Sequence, residues 1–369
     1  MIPVNSPLLD GNEKKYLNEC IETGWISSEG PFVKKFEEQF AALVRRKHAI
    51  AVSNGSVALE AAVAALGLGP GDEVILPTFT IISCAAAIVR AGAVPVAADC
   101  DPITWNMEVR DLERLVTPRT RAIMVVHIYG LPVDMSPVLE LAAKYGLKVI
   151  EDAAEMIGQT YKGQPCGSFG DLSTFSFYPN KLVTTGEGGM IVTDDAGLAQ
   201  RCRDLRNLCF KPTKRFVHEE LGWNFRMSNL QAAVGVAQLE RLPAAVARKR
   251  HLGARYTELL KDIPGLQLPL ASTVYADNIY WVYGLVLGGG IPFEADEARE
   301  RLRQQQIGTR PFFWPMHEQP VFRKMGLFAG AWCPVAERLA RRGFYIPSGL
   351  GLTDAQMERV AEVLHQVFK

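Results

Sequence analysis

Residues 49–66 open with Ala49-Ile50-Ala51-Val52-Ser53-Asn54-Gly55-Ser56 and continue Val57-Ala58-Leu59-Glu60-Ala61-Ala62-Val63-Ala64-Ala65-Leu66. The first part is a short apolar run suited to a buried strand. The second has helical period and length, and Gly67 with Gly69-Pro70-Gly71 closes it. A strand, a Ser-Asn-Gly turn and a helix make one α/β unit. Outward from it, six more apolar runs read as buried strands: Glu73–Phe79, Val94–Cys100, Arg121–Tyr129, Lys148–Ala153, Leu172–Phe177 and Gly189–Thr193. Ser136–Tyr145, closed by Gly146, is a further helical pattern. The alternation predicts an α/β fold whose mostly parallel, seven-stranded sheet is covered by helices on both faces.

After about residue 195 the pattern changes. Leu198–Asn207 and Asn229–Leu242 read as helices, the second running on to about Leu260. Then come strand-like Tyr280–Leu287, the Gly288-Gly289-Gly290 turn and helical patterns at Ala295–Gln305 and Asp354–Phe368. This predicts a large domain over residues 1–245 and a smaller C-terminal α+β domain over 246–369. A chain of 369 residues, 48% hydrophobic, has material for both cores.

Lys+Arg and Asp+Glu both number 40, and no basic block interrupts the balance, so neither nucleic acid nor an anionic membrane is expected as a partner. No apolar run approaches the ~20 residues of a spanning helix. Met1-Ile2-Pro3-Val4-Asn5 lacks a basic stretch leading into an apolar one, and a cytoplasmic protein is expected. The seven cysteines, from Cys20 to Cys333, form no CxxC pair, and the six histidines form no HExxH pair. Reduced thiols and no metal site are expected.

Three stretches can carry chemistry. Ser53-Asn54-Gly55-Ser56 stands between strand and helix, where free N–H groups and the helix dipole attract a phosphate. The same turn also serves as an ordinary N-cap. Glu151-Asp152-Ala153-Ala154-Glu155 stands where an apolar strand ends, at the ligand-binding edge of an α/β sheet. A carboxylate emerging there needs a partner: a ring nitrogen, a helix N-cap or a buried ion pair. Ser176-Phe177-Tyr178-Pro179-Asn180-Lys181 ends a strand with a lone lysine ahead of Thr184-Thr185-Gly186-Glu187-Gly188-Gly189. In a cleft Lys181 would be a nucleophile; in an open loop it would be a solvated cation. Together, an anion cradle, a carboxylate and an amine are what pyridoxal phosphate (PLP) requires of a protein.

In that order the motifs resemble the DegT/DnrJ/EryC1/StrS family, fold-type I PLP aminotransferases of nucleotide-linked keto sugars. The likeness extends from Gly24-Trp25-Ile26-Ser27-Ser28-Glu29-Gly30-Pro31 through Gly71-Asp72-Glu73-Val74 and the three stretches above. It continues to Asn224-Phe225-Arg226-Met227-Ser228 and Arg310-Pro311-Phe312-Phe313-Trp314-Pro315-Met316-His317. The resemblance implies that Lys181 is the Schiff-base lysine and proton carrier, and that Asp152 keeps the ring nitrogen protonated. Gly55, Ser56 and Ser176 would hold the phosphate, and Glu155 would face the cofactor hydroxyl. Asn224 would reach the phosphate of a neighbouring subunit, which implies a homodimer with a shared site. Ser28, Arg226, Arg310 and His317 would contact substrate, Arg310 on phosphate and His317 on a sugar hydroxyl.

The implied donor is L-glutamate, leaving 2-oxoglutarate, with donor and keto sugar reacting in turn. Within the family, Pro77–Ile82, Thr104-Trp105-Asn106-Met107, Glu155 and the Arg310–His317 stretch are most similar to the branch that aminates C4 of GDP-4-keto-6-deoxymannose to GDP-perosamine. Other members take TDP- or UDP-linked sugars and act at C3 or C4. The chain departs from the pattern at Ile81, where an aromatic ring often covers the cofactor, and at Leu131 and Trp223. A sister branch that carries out dehydration has His at the position of Lys181. A non-catalytic protein of the same fold would not need Lys181, Asp152 and Ser176 together. A nicotinamide dehydrogenase would carry GxGxxG after its first strand.

Overall fold

The computed structural model describes residues 1–211 and 213–368. Its strands, in chain order, are β1 (His48–Val52), β2 (Glu73–Pro77), β3 (Val94–Ala98), β4 (Thr120–Val126), β5 (Lys148–Asp152), β6 (Thr160–Tyr161), β7 (Gln164–Pro165), β8 (Leu172–Ser176), β9 (Gly189–Thr193), β10 (Leu266–Gln267), β11 (Tyr283–Leu287), β12 (Arg310–Pro311) and β13 (Gly343–Ile346). Seven of them form one sheet in the order β1-β9-β8-β5-β4-β2-β3. β9 runs antiparallel to both neighbours, and the remaining pairs are parallel. Every expected strand is present in this sheet. Every residue of β2 and β9 is buried, because helices cover both faces.

The register sets the site. Asp152 pairs with Thr174, and Gly189 pairs with both Ser176 and Val52. The ends of β5, β8 and β1 therefore emerge side by side, carrying Asp152, Ser176 and the Ser53–Ser56 turn. Two N-terminal helices, Glu13–Thr23 and Pro31–Leu43, lie outside the patterns read from sequence. The second buries Phe36 and Phe40 against Phe175 and Phe177, with centroids 4.8–5.4 Å apart across the pairs.

A second sheet, β10-β11-β13-β12, is antiparallel and covers a separate apolar core. The helix expected to continue from Asn229 stops at Leu239 and restarts as Leu242–Leu260. Pro243, in the first turn of the new helix, has no N–H to continue the old one. That long helix packs Leu242 and Val246 on the large core, and Leu252, Tyr256 and Leu260 on the small one. The hand-over between cores falls inside it. β11 begins at Tyr283, later than the apolar run, because Tyr280 adopts φ 51° and cannot join the ladder. All seven cysteines are buried and unpaired. Among the described residues no helix is long and apolar enough to cross a membrane.

Candidate active site

A cavity of about 700 Å³ opens where these strand ends meet. Its first wall is the N-terminus of the helix Gly55–Ala65. Asn54 caps this helix by accepting from Val57 N–H at 3.0 Å, which leaves the N–H groups of Gly55 and Ser56 at the cavity. Ser56 Oγ lies 2.7 Å from Ser83 Oγ, another lining residue. Gly55 is required by packing: a Cβ there would stand 2.8 Å from Ser176 Cβ. The backbone of one motif thus lies directly on the side chain of another.

The second wall is the end of β5, where successive side chains point to opposite faces. Glu151 points away from the cavity into the protein. It accepts from His127 Nε2 at 3.1 Å, from the N–H groups of Gly167, Phe169 and Gly170, and from Ser173 Oγ–H. His127 Nδ1 accepts from Val133 N–H at 3.0 Å, so the proton sits on Nε2 and the imidazole is locked. Asp152 points into the cavity. Its Oδ1 accepts from Ala154 N–H at 3.0 Å and its Oδ2 from the Cys84 thiol at 3.3 Å. Burial pushes the Asp152 carboxyl up, while those two donors and the Lys181 amine pull it back. Glu155, buried three residues on, accepts from Tyr129 N–H at 2.6 Å. Burial raises it to about 8, against the opposing pull of Lys181 and the Tyr129 N–H.

Lys181 closes the third side. The loop that carries it is tied through its carbonyls: Trp281 Nε1–H donates to Asn180 O at 3.0 Å, and Asn5 Nδ2–H to Pro179 O at 3.1 Å. Lys181 Nζ stands 3.9 Å from the centroid of the Trp281 ring. Burial lowers its pKa, so the amine loses its proton more readily; the carboxylates of Glu155 and Asp152 act the other way. Two lining groups, Thr174 Oγ1 and Asn180 Oδ1, are buried without a hydrogen-bond partner. The set has donors for an anion, a carboxylate for a ring cation and an amine for a carbonyl, and so fits PLP.

Of the residues singled out from sequence, Gly55, Ser56, Asp152, Glu155, Ser176 and Lys181 line this one cavity. Ser28, Asn224, Arg226, Arg310 and His317 are not among its lining residues. Ser28 is half-buried and Asn224 exposed, and neither reaches the cavity of its own chain. Arg226 bonds Asn207 Oδ1 at 2.5 Å. Arg310 is exposed on β12, paired with Tyr345, which lines the cavity. His317 is buried: its Nδ1 is 2.8 Å from Thr78 Oγ1 and its Nε2 3.2 Å from Glu337 Oε1. Ile81, 45% exposed, lines the cavity, whereas Phe79 is fully buried against Tyr129, Phe312 and Phe313. Sequence reading missed Ser83, Cys84, His127, Trp281 and Tyr345. Trp281 and Tyr345 come from the second half of the chain, where no local motif marks them.

Comparison with known proteins agrees with this geometry. Residues 7–365 match the model of the DegT/DnrJ/EryC1/StrS aminotransferase family. The chain is 43% identical over 366 residues to a GDP-perosamine synthase of Caulobacter vibrioides, covering 99% of this chain and 98% of that protein. It is 40% identical to a GDP-perosamine synthase of Vibrio cholerae, covering 100% and 99%. The solved structure of the aminotransferase TlmJ from Streptoalloteichus hindustanus superimposes with a TM-score of 0.92 at 30% identity, covering 100% of this chain and 98% of that one. The chain belongs to the DegT/DnrJ/EryC1/StrS family and is a PLP-dependent sugar aminotransferase.

Proposed function

We propose that this enzyme moves the amino group of L-glutamate to C4 of GDP-4-keto-6-deoxymannose, giving GDP-perosamine and 2-oxoglutarate. The observation that carries this reading is full-length identity of 43% and 40% to two proteins named for that product, in a chain whose Lys181 faces the cavity.

Bound PLP supplies an electron sink for the breaking C–H bond. The protein does the rest. The N–H groups of Gly55 and Ser56, with the hydroxyls of Ser56 and Ser176, would hold the phosphate at a helix N-terminus. Asp152 would keep a proton on the ring nitrogen, and Glu155 would serve the ring hydroxyl. Lys181 Nζ would be the amine for the cofactor carbonyl and the base that moves the substrate proton. Arg310, exposed beside Tyr345, is the cation for the substrate phosphates. Ser28, Arg226 and His317 are assigned to the substrate on the strength of their motifs alone.

A homodimer is part of the proposal. Asn224 is exposed and away from its own cavity, and Trp25, Ile26 and Leu221 are 50%, 50% and 91% exposed, apolar side chains that a second copy would cover. The test is to supply glutamate with GDP-, TDP- and UDP-linked 4-keto-6-deoxyhexoses in parallel and identify any amino sugar by mass and NMR. A preference for a TDP- or UDP-linked sugar, or amination at C3, would replace the substrate and leave the aminotransferase in place.

A further inference from the structure

We propose that Trp281 is a positioning residue for Lys181: the indole N–H fixes the loop that carries the lysine, and the indole face seats the amine whenever it is not bonded to the cofactor. The proposal rests on the PLP-dependent reading of the site.

Trp281 arrives from the chain segment just before β11 and is only 5% exposed. The segment cannot shift easily. Ile279 N–H donates to Gly130 O at 3.1 Å, and Asn278 Oδ1 accepts from Tyr280 N–H at 2.6 Å. A Cβ on Gly130 would meet the backbone nitrogens of Tyr280 and Trp281 at 2.6 and 2.8 Å, so the two backbones are pressed together. The ring is also stacked on Tyr129, with centroids 6.0 Å apart and planes at 27°.

From this fixed position Trp281 makes two contacts, one with Lys181 and one with the residue before it. Its Nε1–H holds Asn180 O at 3.0 Å, one residue before the lysine, and its ring centroid lies 3.9 Å from Nζ. Among the described residues, Nζ donates no hydrogen bond to a protein acceptor. A lysine that bonds a cofactor must be released when substrate takes its place. Released, its ammonium form needs a partner in a dry cavity, and an aromatic face provides one without consuming the base. The amine stays within reach instead of pairing permanently with Glu155 or Asp152, whose carboxyls face the same space.

The test uses cofactor-free protein, PLP alone and no sugar or amino donor. The rate of PLP capture is followed by the appearance of yellow colour across a range of pH, for the parent, W281F and W281L, with folding checked by circular dichroism. W281F keeps a ring face and loses the N–H; it should capture PLP several-fold more slowly at an unchanged pH midpoint. W281L loses both. Its midpoint should fall by roughly one pH unit, as loss of a desolvated cation–π contact requires, and its capture should be at least ~10-fold slower. A folded W281L with the parent's rate and midpoint overturns the proposal. If W281L does not fold, the parent is made with fluorinated tryptophan, which weakens the ring face without changing its shape. The midpoint should then fall, and an unmoved midpoint overturns the proposal. A parent protein that captures no PLP overturns the underlying cofactor reading and this proposal with it.

Discussion

The Cys84 thiol, itself fully buried, donates to Oδ2 of Asp152 at the cavity wall across 3.3 Å. Asp152 thus has one oxygen held by the Ala154 N–H and the other by a weak sulfur donor. Removing the sulfur leaves a buried carboxylate with one donor fewer, and its carboxyl moves further up. C84A should lower kcat/KM about 3–10-fold, with the acid limb of the pH profile shifted to higher pH, and C84S should restore both. D152N goes further. It should keep PLP bound and lower the rate by about 10²–10⁴-fold, because a neutral amide cannot hold the ring nitrogen charged. An unchanged rate in D152N would reduce Asp152 to a structural cap.

Lys181→Ala should abolish amination, by at least ~10³-fold. Thermal stability should hold or rise, since the change removes an amine whose burial outweighs the pull of Glu155 and Asp152 on it. Borohydride treatment of the PLP-loaded parent, followed by peptide mass analysis, should find the cofactor on Lys181. Label at any other lysine would displace Lys181 from its role.

Glu155 makes stability depend on pH in an unusual direction. Its folded pKa of about 8 lies above the ~4.3 of an unfolded Glu. Below pH ~4.3 the carboxyl is protonated in both states and the shift costs nothing. Between ~4.3 and about 8 the unfolded chain releases the proton and the folded one keeps it, so stability falls as pH rises; above about 8 the loss is complete. E155Q removes the titration. Calorimetry of cofactor-free protein should show the Tm of E155Q gaining on the parent from pH 5 to pH 9. Parallel curves would show that Glu155 ionises normally.

Gly55→Ala places a Cβ 2.8 Å from Ser176 Cβ, below any ordinary contact. The strand end or the helix must move, at a cost of about 1–3 kcal/mol in stability. Because both sides of the clash belong to the proposed phosphate cradle, PLP affinity should weaken at least ~10-fold, measured by titration of the cofactor-free protein. Ser56→Ala removes only a hydroxyl and should weaken PLP binding less.

The chain's local patterns carried much of this. Seven apolar runs with turn residues between them specify a mostly parallel sheet, because strands covered on both faces have no polar side to show. That Gly55, Ser56, Asp152, Ser176 and Lys181 share one cavity follows from the same pattern: each sits at the end of one of those runs or in the loop after it. What stayed hidden depends on docking across the chain. Trp281 and Tyr345 look like core aromatics, and only the packing of the second sheet brings them to the cavity. Glu151 and Asp152 are adjacent carboxylates of equal apparent promise. Strand alternation sends one to His127 and the other to the cavity, and the sequence does not say which. The N-terminal helix Pro31–Leu43 went unread because it precedes the first strand and lacks the Gly closure seen elsewhere; it ends at Val44 in a simple turn.

The strand order has a consequence for synthesis on the ribosome. β1 is made first among the strands of its sheet, yet its only partner there is β9, and β8 must slot between β5 and β9 before Ser176 can meet Gly55. The nascent chain therefore carries the apolar β1 unpaired until Gly189–Thr193 has left the exit tunnel, and Trp281 follows later still. Such long-range pairing makes folding slow and leaves apolar surface open in the interval. PLP cannot rescue this interval, because the groups proposed to hold it do not come together until it is over. Chaperone supply, and not cofactor supply, should limit the yield of this protein in a cell.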